Sequence, residues 1–315
     1  MRAYIVRRLL TGILILFVLS VVVFLMLRIT PGDPSNRICP IGSPPACRDA
    51  VRKEVGLDDP YPVQYLRWVE GVLTGDLGKA YFSGRPVTEA IKQRFPVTLE
   101  LLIIDVLVTV AIGVPFGIIS ALYRNSPADY FVRVTAVLGL SVPAFWVATM
   151  VIMVPSELWG YAPPLGRAIS FFDDPGGNLR QFVPPAMVGA LASSAGIMRL
   201  TRSSLLEVLR TDYIRTARSK GLREPVVISR HALKNSIIPV VTVLGLSVSG
   251  LLGGSVIIEQ IFALPGLGQY TFQALFAKEF PVVQTMTLYV GAVVVLMNLL
   301  VDVSYAWLDP RIRYS

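Results

Sequence analysis

Charge is scarce in this chain. Only 16% of its 315 residues are Asp, Glu, Lys or Arg, where soluble domains carry about a quarter. So little charge cannot cover a water-facing surface. With 53% hydrophobic residues and a mean hydropathy of +0.61, lipid is the implied solvent. Histidine is scarcer still: His231 is the only one, and Cys39 and Cys47 are the only cysteines. That excludes a His/Cys metal site of about four ligands, and His231 reads as a surface or interface residue. Nucleotide-hydrolysing machinery is also missing. The stretch Gly75-Asp-Leu-Gly-Lys79 has neither the spacing of a phosphate-binding loop nor a Ser/Thr at Ala80. An intramembrane hydrolase would need a nucleophile and a base in the bilayer, and no such set is present. There is no chain of acids for a proton relay and no clear internal repeat, both of which argue against a secondary transporter.

What is abundant is apolar sequence in long runs. Six candidate spans of about 20 residues stand out: Leu9–Leu27, Leu99–Leu122, Val134–Val154, Phe182–Met198, Ile237–Ile258 and Val282–Trp307. The fourth is diluted by Pro184 and Pro185. The first follows Arg7 and Arg8 but exceeds a signal-peptide core and lacks a cleavage pattern, so it reads as an uncleaved transmembrane helix. The formal charge of +8 lies beside these runs, the pattern of membrane topology and not of nucleic-acid binding. Arg2, Arg7 and Arg8 precede the first span, and Arg124 and Arg133 flank the second connection. Nine basic residues between Arg199 and Lys234 follow the fourth span. With six spans all of these fall on one face, which places both termini in the cytoplasm.

Residues 30–97 mix charges of both signs with Pro, Gly and aromatics, and are expected to form a small folded segment outside the membrane. Within it Val63, Leu66, Trp68, Val69, Val72 and Leu73 fit a short amphipathic helix behind Pro60 and Pro62. Cys39 and Cys47 lie here, at a spacing that permits a disulfide in an oxidising compartment without requiring one. Residues 1–29 are then the cytoplasmic start and first span, and 98–315 the core.

Small residues recur at helical spacing: Gly113, Gly117 and Ala121; Gly189 with Ser193 and Ala192 with Gly196; Gly245, Ser249 and Gly253, with Gly250 and Gly254. Such stripes let helices approach closely, for static packing or around a path. Of the acids in spans, Glu100 and Asp302 lie near the interfaces. Asp105 is deeper, a candidate for a water-lined path or a buried partner. Ser141 and Asn298 join Asp105 as candidate path residues. Glu259 is read as part of an outer loop.

The most informative stretch is cytoplasmic, about 199–235. Tyr213–Lys220 lacks helix breakers and Gly221 suits a left-handed termination. A second short helical pattern, with Val226, Val227, Ile228, Ala232 and Leu233, precedes the fifth span. A basic, apolar helix–glycine–helix projection suits docking into a partner's groove or lying on anionic lipid. Periodicity leaves both open.

This loop resembles the glutamate-alanine-alanine-glycine loop of ABC importer permeases. Ala217 and Gly221 match the second alanine and the glycine. Arg215 and Thr216 replace the glutamate and first alanine. His231, Leu233 and Lys234 fall on the later isoleucine, leucine and proline positions. The stretch Tyr213–Gly221 is more similar to the dipeptide, oligopeptide and nickel (DppB/OppB-type) branch. So are Pro31-Gly-Asp-Pro34, Gln64-Tyr-Leu-Arg-Trp68, Gly75-Asp-Leu-Gly78, Pro265-Gly-Leu-Gly268, Asn298-Leu-Leu-Val-Asp302 and Leu308-Asp-Pro-Arg-Ile-Arg313. The cysteine-containing insert, 36–48, departs from the pattern.

The resemblance implies an all-α, six-helix importer permease fold in a prokaryotic cell membrane, with no catalysis and no cofactor on this chain. Tyr213, Arg215, Thr216, Ala217, Lys220, Gly221 and Leu222 would form the ATPase-coupling loop. The partners implied are a second permease, two ATPases that use ATP and magnesium, and an external solute-binding protein. Short peptides are the implied cargo, with nickel chelates, glutathione or other small solutes as the alternative.

Overall fold

The computed structural model describes residues 2–30, 35–39, 42–161 and 163–308. Among them all regular structure is helical apart from one isolated bridge, Lys79 to Pro86. In chain order the helices are α1 (Arg2–Ile29), α2 (Ser35–Ile38), α3 (Pro45–Val55), α4 (Tyr61–Thr74), α5 (Val87–Leu122), α6 (Pro127–Ser141) and α7 (Ala144–Trp159). There follow α8 (Pro175–Val208), α9 (Asp212–Ser219), α10 (Glu224–Val226), a π-helical turn (Val227–Ala232), α11 (Leu233–Ser236), α12 (Ile238–Ile261), α13 (Leu267–Ala277) and α14 (Phe280–Leu308). The chain divides into two compact units. One is Met1–Pro96 with Pro265–Leu296; the other is Val97–Leu264 with Met297–Ser315.

In the first unit α1 is apolar all round, and Leu10 and Ile13 stand more than 60% exposed, as a lipid-facing helix would. Gly12 and Gly291 bring α1 and α14 together: a Cβ at Gly12 would lie 2.6 Å from Val295 Cγ1. Helix α4 docks on α1 through aromatics. Phe24 meets Tyr65 edge-on and stacks on Trp68, and Ser20 Oγ lies 2.8 Å from the Tyr65 hydroxyl. The amphipathic reading of α4 needs correction in detail. Val63, Leu66 and Leu73 face outward, and Gln64 is buried in their stead. Its amide donates to the Leu57 and Asp59 carbonyls and accepts from Arg28 Nε at 2.8 Å, which satisfies the buried polar group. Glu279 accepts from the backbone amides of Tyr81 and Phe82, at 2.5 and 2.9 Å, and so fixes the loop before α5. Leu27, Val87, Leu267, Phe280 and Met286 form the core beneath it. Cys39 and Cys47 are joined, with their Cα atoms 6.2 Å apart.

In the second unit α8 is the central post, with α6, α7, α11 and α12 against it. The expected third span, Val134–Val154, is not one helix. It bends by 99° between α6 and α7. Pro143 has no amide hydrogen to continue the ladder, and it forces Val142 into an extended conformation, φ −85° and ψ 127°. The fourth span also differs: α8 runs ten residues past Met198, to Val208. Gly113 and Gly117 of α5 pack on α8, where a Cβ at Gly117 would lie 2.6 Å from Thr201 Cβ and 2.8 Å from the Met198 carbonyl. Gly196 and Gly250, by contrast, face open space. Glu259 is not a loop residue: it lies on α12, fully buried, and accepts from Thr98 Oγ1 at 2.8 Å.

By length and composition, three helical segments among the described residues can cross a membrane: Val6–Ile29, Val87–Leu122 and Phe280–Leu300. The bent α6–α7 pair makes a fourth if counted as one span. Pro31–Pro34 and residues 309–313 lie outside the described residues, as do the side chains of Ser249, Gly253, Gly254 and Asp302.

Candidate functional site

The candidate coupling segment is built around α9. Its one apolar edge, Ile214 and Ala217, is buried against Leu205, Val227, Ala232 and Ala121. The rest of the helix is polar and faces out. Gly221 ends the segment in the left-handed region, φ +76°, where a side chain would be strained. Its amide donates to the Arg218 carbonyl at 2.9 Å. Arg218 and Glu224 bridge the turn with two hydrogen bonds, 3.1 and 2.6 Å. The guanidinium hydrogen bond holds the Glu224 carboxyl below its ordinary range. Both side chains are near half-exposed, so the pair contributes only about 0.2–1 kcal/mol, and its role is geometric.

After α10 the backbone slips into a π-helical turn, Val227–Ala232, a local irregularity common at functional sites. Asn235 Nδ2 donates to the Tyr213 hydroxyl at 2.8 Å, and Ser204 Oγ donates to the Ser236 carbonyl at 2.9 Å. These bonds tie α9 to α11 and α11 to α8. Of the seven expected coupling residues, Tyr213, Arg215, Thr216, Lys220, Gly221 and Leu222 are exposed, whereas Ala217 is 7% exposed and packs inward.

Sequence reasoning passed over Asp129, which is 0% exposed. Ser126 caps α6, Pro127 follows it, and Asp129 donates its amide back to Ser126 Oγ at 3.4 Å. The Asp129 carboxylate accepts from Ser120 Oγ at 2.5 Å, the Asn125 amide at 2.9 Å, Arg202 Nε at 2.9 Å and Arg202 Nη2 at 3.0 Å. One carboxylate thus clamps α5, α6 and α8. The Ser-Pro-x-Asp spacing announces the cap; nothing local announces Arg202.

The candidate path residues do not converge. Asp105 is 4% exposed and borders a cavity of about 330 Å³ with Leu101, Gly189, Ser193, Ser247 and Ser255. Ser141 is exposed and donates to the Val137 carbonyl at 2.8 Å; Asn298 is also exposed. Neither is among the described residues lining that cavity. Glu100 accepts from Asn178 Nδ2 at 2.7 Å, away from it.

Residues 113–314 match the family described as binding-protein-dependent transport system inner membrane component, and residues 1–102 match its N-terminal component. The chain belongs to this family. Relatives span it end to end. A putative peptide transport system permease protein of Brucella abortus is 41% identical over 315 residues, covering 100% of both chains. The oligopeptide transport system permease protein AppB of Bacillus subtilis is 39% identical, and the dipeptide transport system permease protein DppB of Alkalihalophilus pseudofirmus 38%, each with 100% of both chains covered. Among solved structures, the MetNI methionine ABC transporter in inward-facing conformations shares the fold. Its TM-score is 0.58 at 17% identity, covering 70% of this chain and 97% of that one. The transport-family match contains the whole candidate coupling segment, α9 to α11. Asp105 falls between the two matched stretches.

Proposed function

We propose that the chain is a membrane-spanning permease subunit of an ATP-driven importer for short peptides. The observation that carries this reading is end-to-end identity of about 40% to permeases named for peptide, oligopeptide and dipeptide transport. The coupling segment supports it physically. A rigid helix, a glycine turn and a π-turn present six exposed residues on an interior anchored to α8. Movement of an attached ATPase at this surface is transmitted to α8 without melting the loop. ATP hydrolysis belongs to partner subunits, with a second permease and an external binding protein completing the importer.

The six spans are α1, α5, the bent α6–α7 pair, α8, α12 and α14. Both termini are cytoplasmic, a reading supported by the basic residues between Arg199 and Lys234, which share a face with Arg7 and Arg8 in a six-span chain. Residues 30–97 are then extracytoplasmic, where oxidising conditions sustain the Cys39–Cys47 bond. Asp105, Ser141 and Asn298 lie along the path of the cargo. The test is reconstitution: the full importer in liposomes should accumulate labelled peptide only with binding protein outside and ATP inside. Accumulation without nucleotide contradicts the reading.

A further inference from the structure

The cavity beside α8 holds a carboxylate with no counter-charge among the described residues. Asp105 is 4% exposed, and among the described residues its one side-chain hydrogen bond is a long one, from Thr109 Oγ1 at 3.4 Å. No Lys, Arg or His is among the described residues lining the cavity, and Asp105 makes no ion pair among the described residues. A carboxylate in such surroundings is unfavourable unless something cationic or hydrogen-bonding completes it. The site is shaped for the carboxyl group. Gly189 on α8 has no side chain where Asp105 Oδ2 sits; a Cβ there would collide with the carboxylate. Among the described residues the remaining polar side chains on the wall are the hydroxyls of Ser193, Ser247 and Ser255, which can accept hydrogen bonds as well as donate them. Ala144, Leu101, Leu102 and Ile258 supply an apolar surround, and Gly250 opens on empty space. The volume, about 330 Å³, is within the usual range for a small-ligand pocket, about 300–1,000 Å³.

We infer that Asp105 and the serine hydroxyls around it form a transient site for a primary ammonium group, the α-amino terminus of the peptide in transit. An ammonium has three donors and no acceptor, which suits one carboxylate among hydroxyl oxygens. A divalent metal would call for more oxygen ligands, and among the described residues no group of three or more acidic, His or Cys side chains could hold one. The α-ammonium is the one positive charge that all linear peptides share whatever their side chains. A single carboxylate therefore recognises the class and leaves sequence selection to other parts of the importer. This inference rests on the peptide-import reading above and goes further by naming the group bound and the residue that binds it.

The test uses the complete importer in liposomes, with D105N, which keeps the shape and removes the charge. A tripeptide with a free amino terminus and its N-acetylated form are each supplied at concentrations found to saturate the binding protein. Initial uptake is compared in sodium and in choline buffer. The expected result is loss of free-amine peptide uptake by roughly tenfold or more in D105N, as for an ion pair truncated in a buried setting. The acetylated peptide, already slow in the wild type, should change by less than about twofold. This difference between the two peptides isolates the ammonium–carboxylate term, because discrimination by the binding protein is common to both proteins. Equal loss for both peptides means a purely structural Asp105 and overturns the inference. So does wild-type uptake of the free-amine peptide in D105N, or a wild-type rate that collapses in choline, which would assign the site to sodium. Failure of the wild-type importer to move either peptide contradicts peptide import itself.

Discussion

The Asp129 clamp gives the sharpest quantitative expectation. Its carboxylate is 0% exposed and takes both forks of Arg202, at 2.9 and 3.0 Å, as well as Ser120 Oγ and the Asn125 amide. D129N keeps the volume but removes the charge and turns one oxygen into a donor facing the guanidinium. Removing one member of a fully buried pair costs about 3–5 kcal/mol. Arg202 retains 22% side-chain exposure, so water relieves part of that, and a loss of roughly 2–3 kcal/mol is expected. R202Q should cost a similar amount. The double variant should cost far less than the sum, with a coupling energy of about 2 kcal/mol, because both changes remove the same bonds. Unfolding of the purified subunit by SDS titration in mixed micelles measures all three. A D129N loss below about 0.5 kcal/mol, or single losses that add within about 0.5 kcal/mol, would show that the clamp does not couple α6 to α8.

The proposed coupling segment separates two kinds of variant. A217F overpacks the buried edge of α9 and should lower stability by about 1–3 kcal/mol along with uptake. L222D, on the exposed side of the turn, should leave melting unchanged while co-purification of the ATPases is lost; a stable A217F or an ATPase-retaining L222D contradicts the assignment. At the α5–α8 crossing, G117A places a Cβ 2.8 Å from a backbone carbonyl that cannot rotate away. It should destabilise by about 1–3 kcal/mol, whereas G196A, which faces open space, should melt like the wild type. Replacing both Cys39 and Cys47 with serine should loosen the short segment proposed to lie outside by roughly 2–3 kcal/mol, read as faster cleavage between residues 42 and 56 by protease added outside. Unchanged cleavage would mean that the bond constrains nothing there.

Elements that depend on one local property were legible in the sequence. Helices α1, α5 and α14 follow from uniform apolar runs, and the left-handed end of the coupling segment follows from Gly221. Features that depend on distant contacts, or on a single local break in the helix ladder, were not. The run Val134–Val154 looks continuous to a hydropathy window, yet Pro143 at its middle breaks it. The window also ends the fourth span at Met198 because charge begins there, but a helix tolerates Arg199 and Arg202 when one of them has a carboxylate to reach. That carboxylate, Asp129, is 73 residues away along the chain. Glu259 reads as exposed by composition and is buried because Thr98 meets it. The π-turn is a slip in hydrogen-bond register and leaves no trace in side-chain periodicity. The glycine stripes were visible as spacing alone; only the neighbours show that Gly117 is packed, Gly189 makes room for Asp105 and Gly250 is open.

Cross-linking from the turn after α9 addresses the central reading most directly. A photoactivatable probe on L222C, in membrane vesicles holding the assembled importer, should form an adduct with the ATPase subunit whose yield changes on adding ATP. The same probe on L73C, 82% exposed in the segment proposed to lie outside the membrane, should form none. Labelling of L222C in intact cells by a membrane-impermeant reagent, or an adduct-free result at this position in an importer that still transports, would contradict the account.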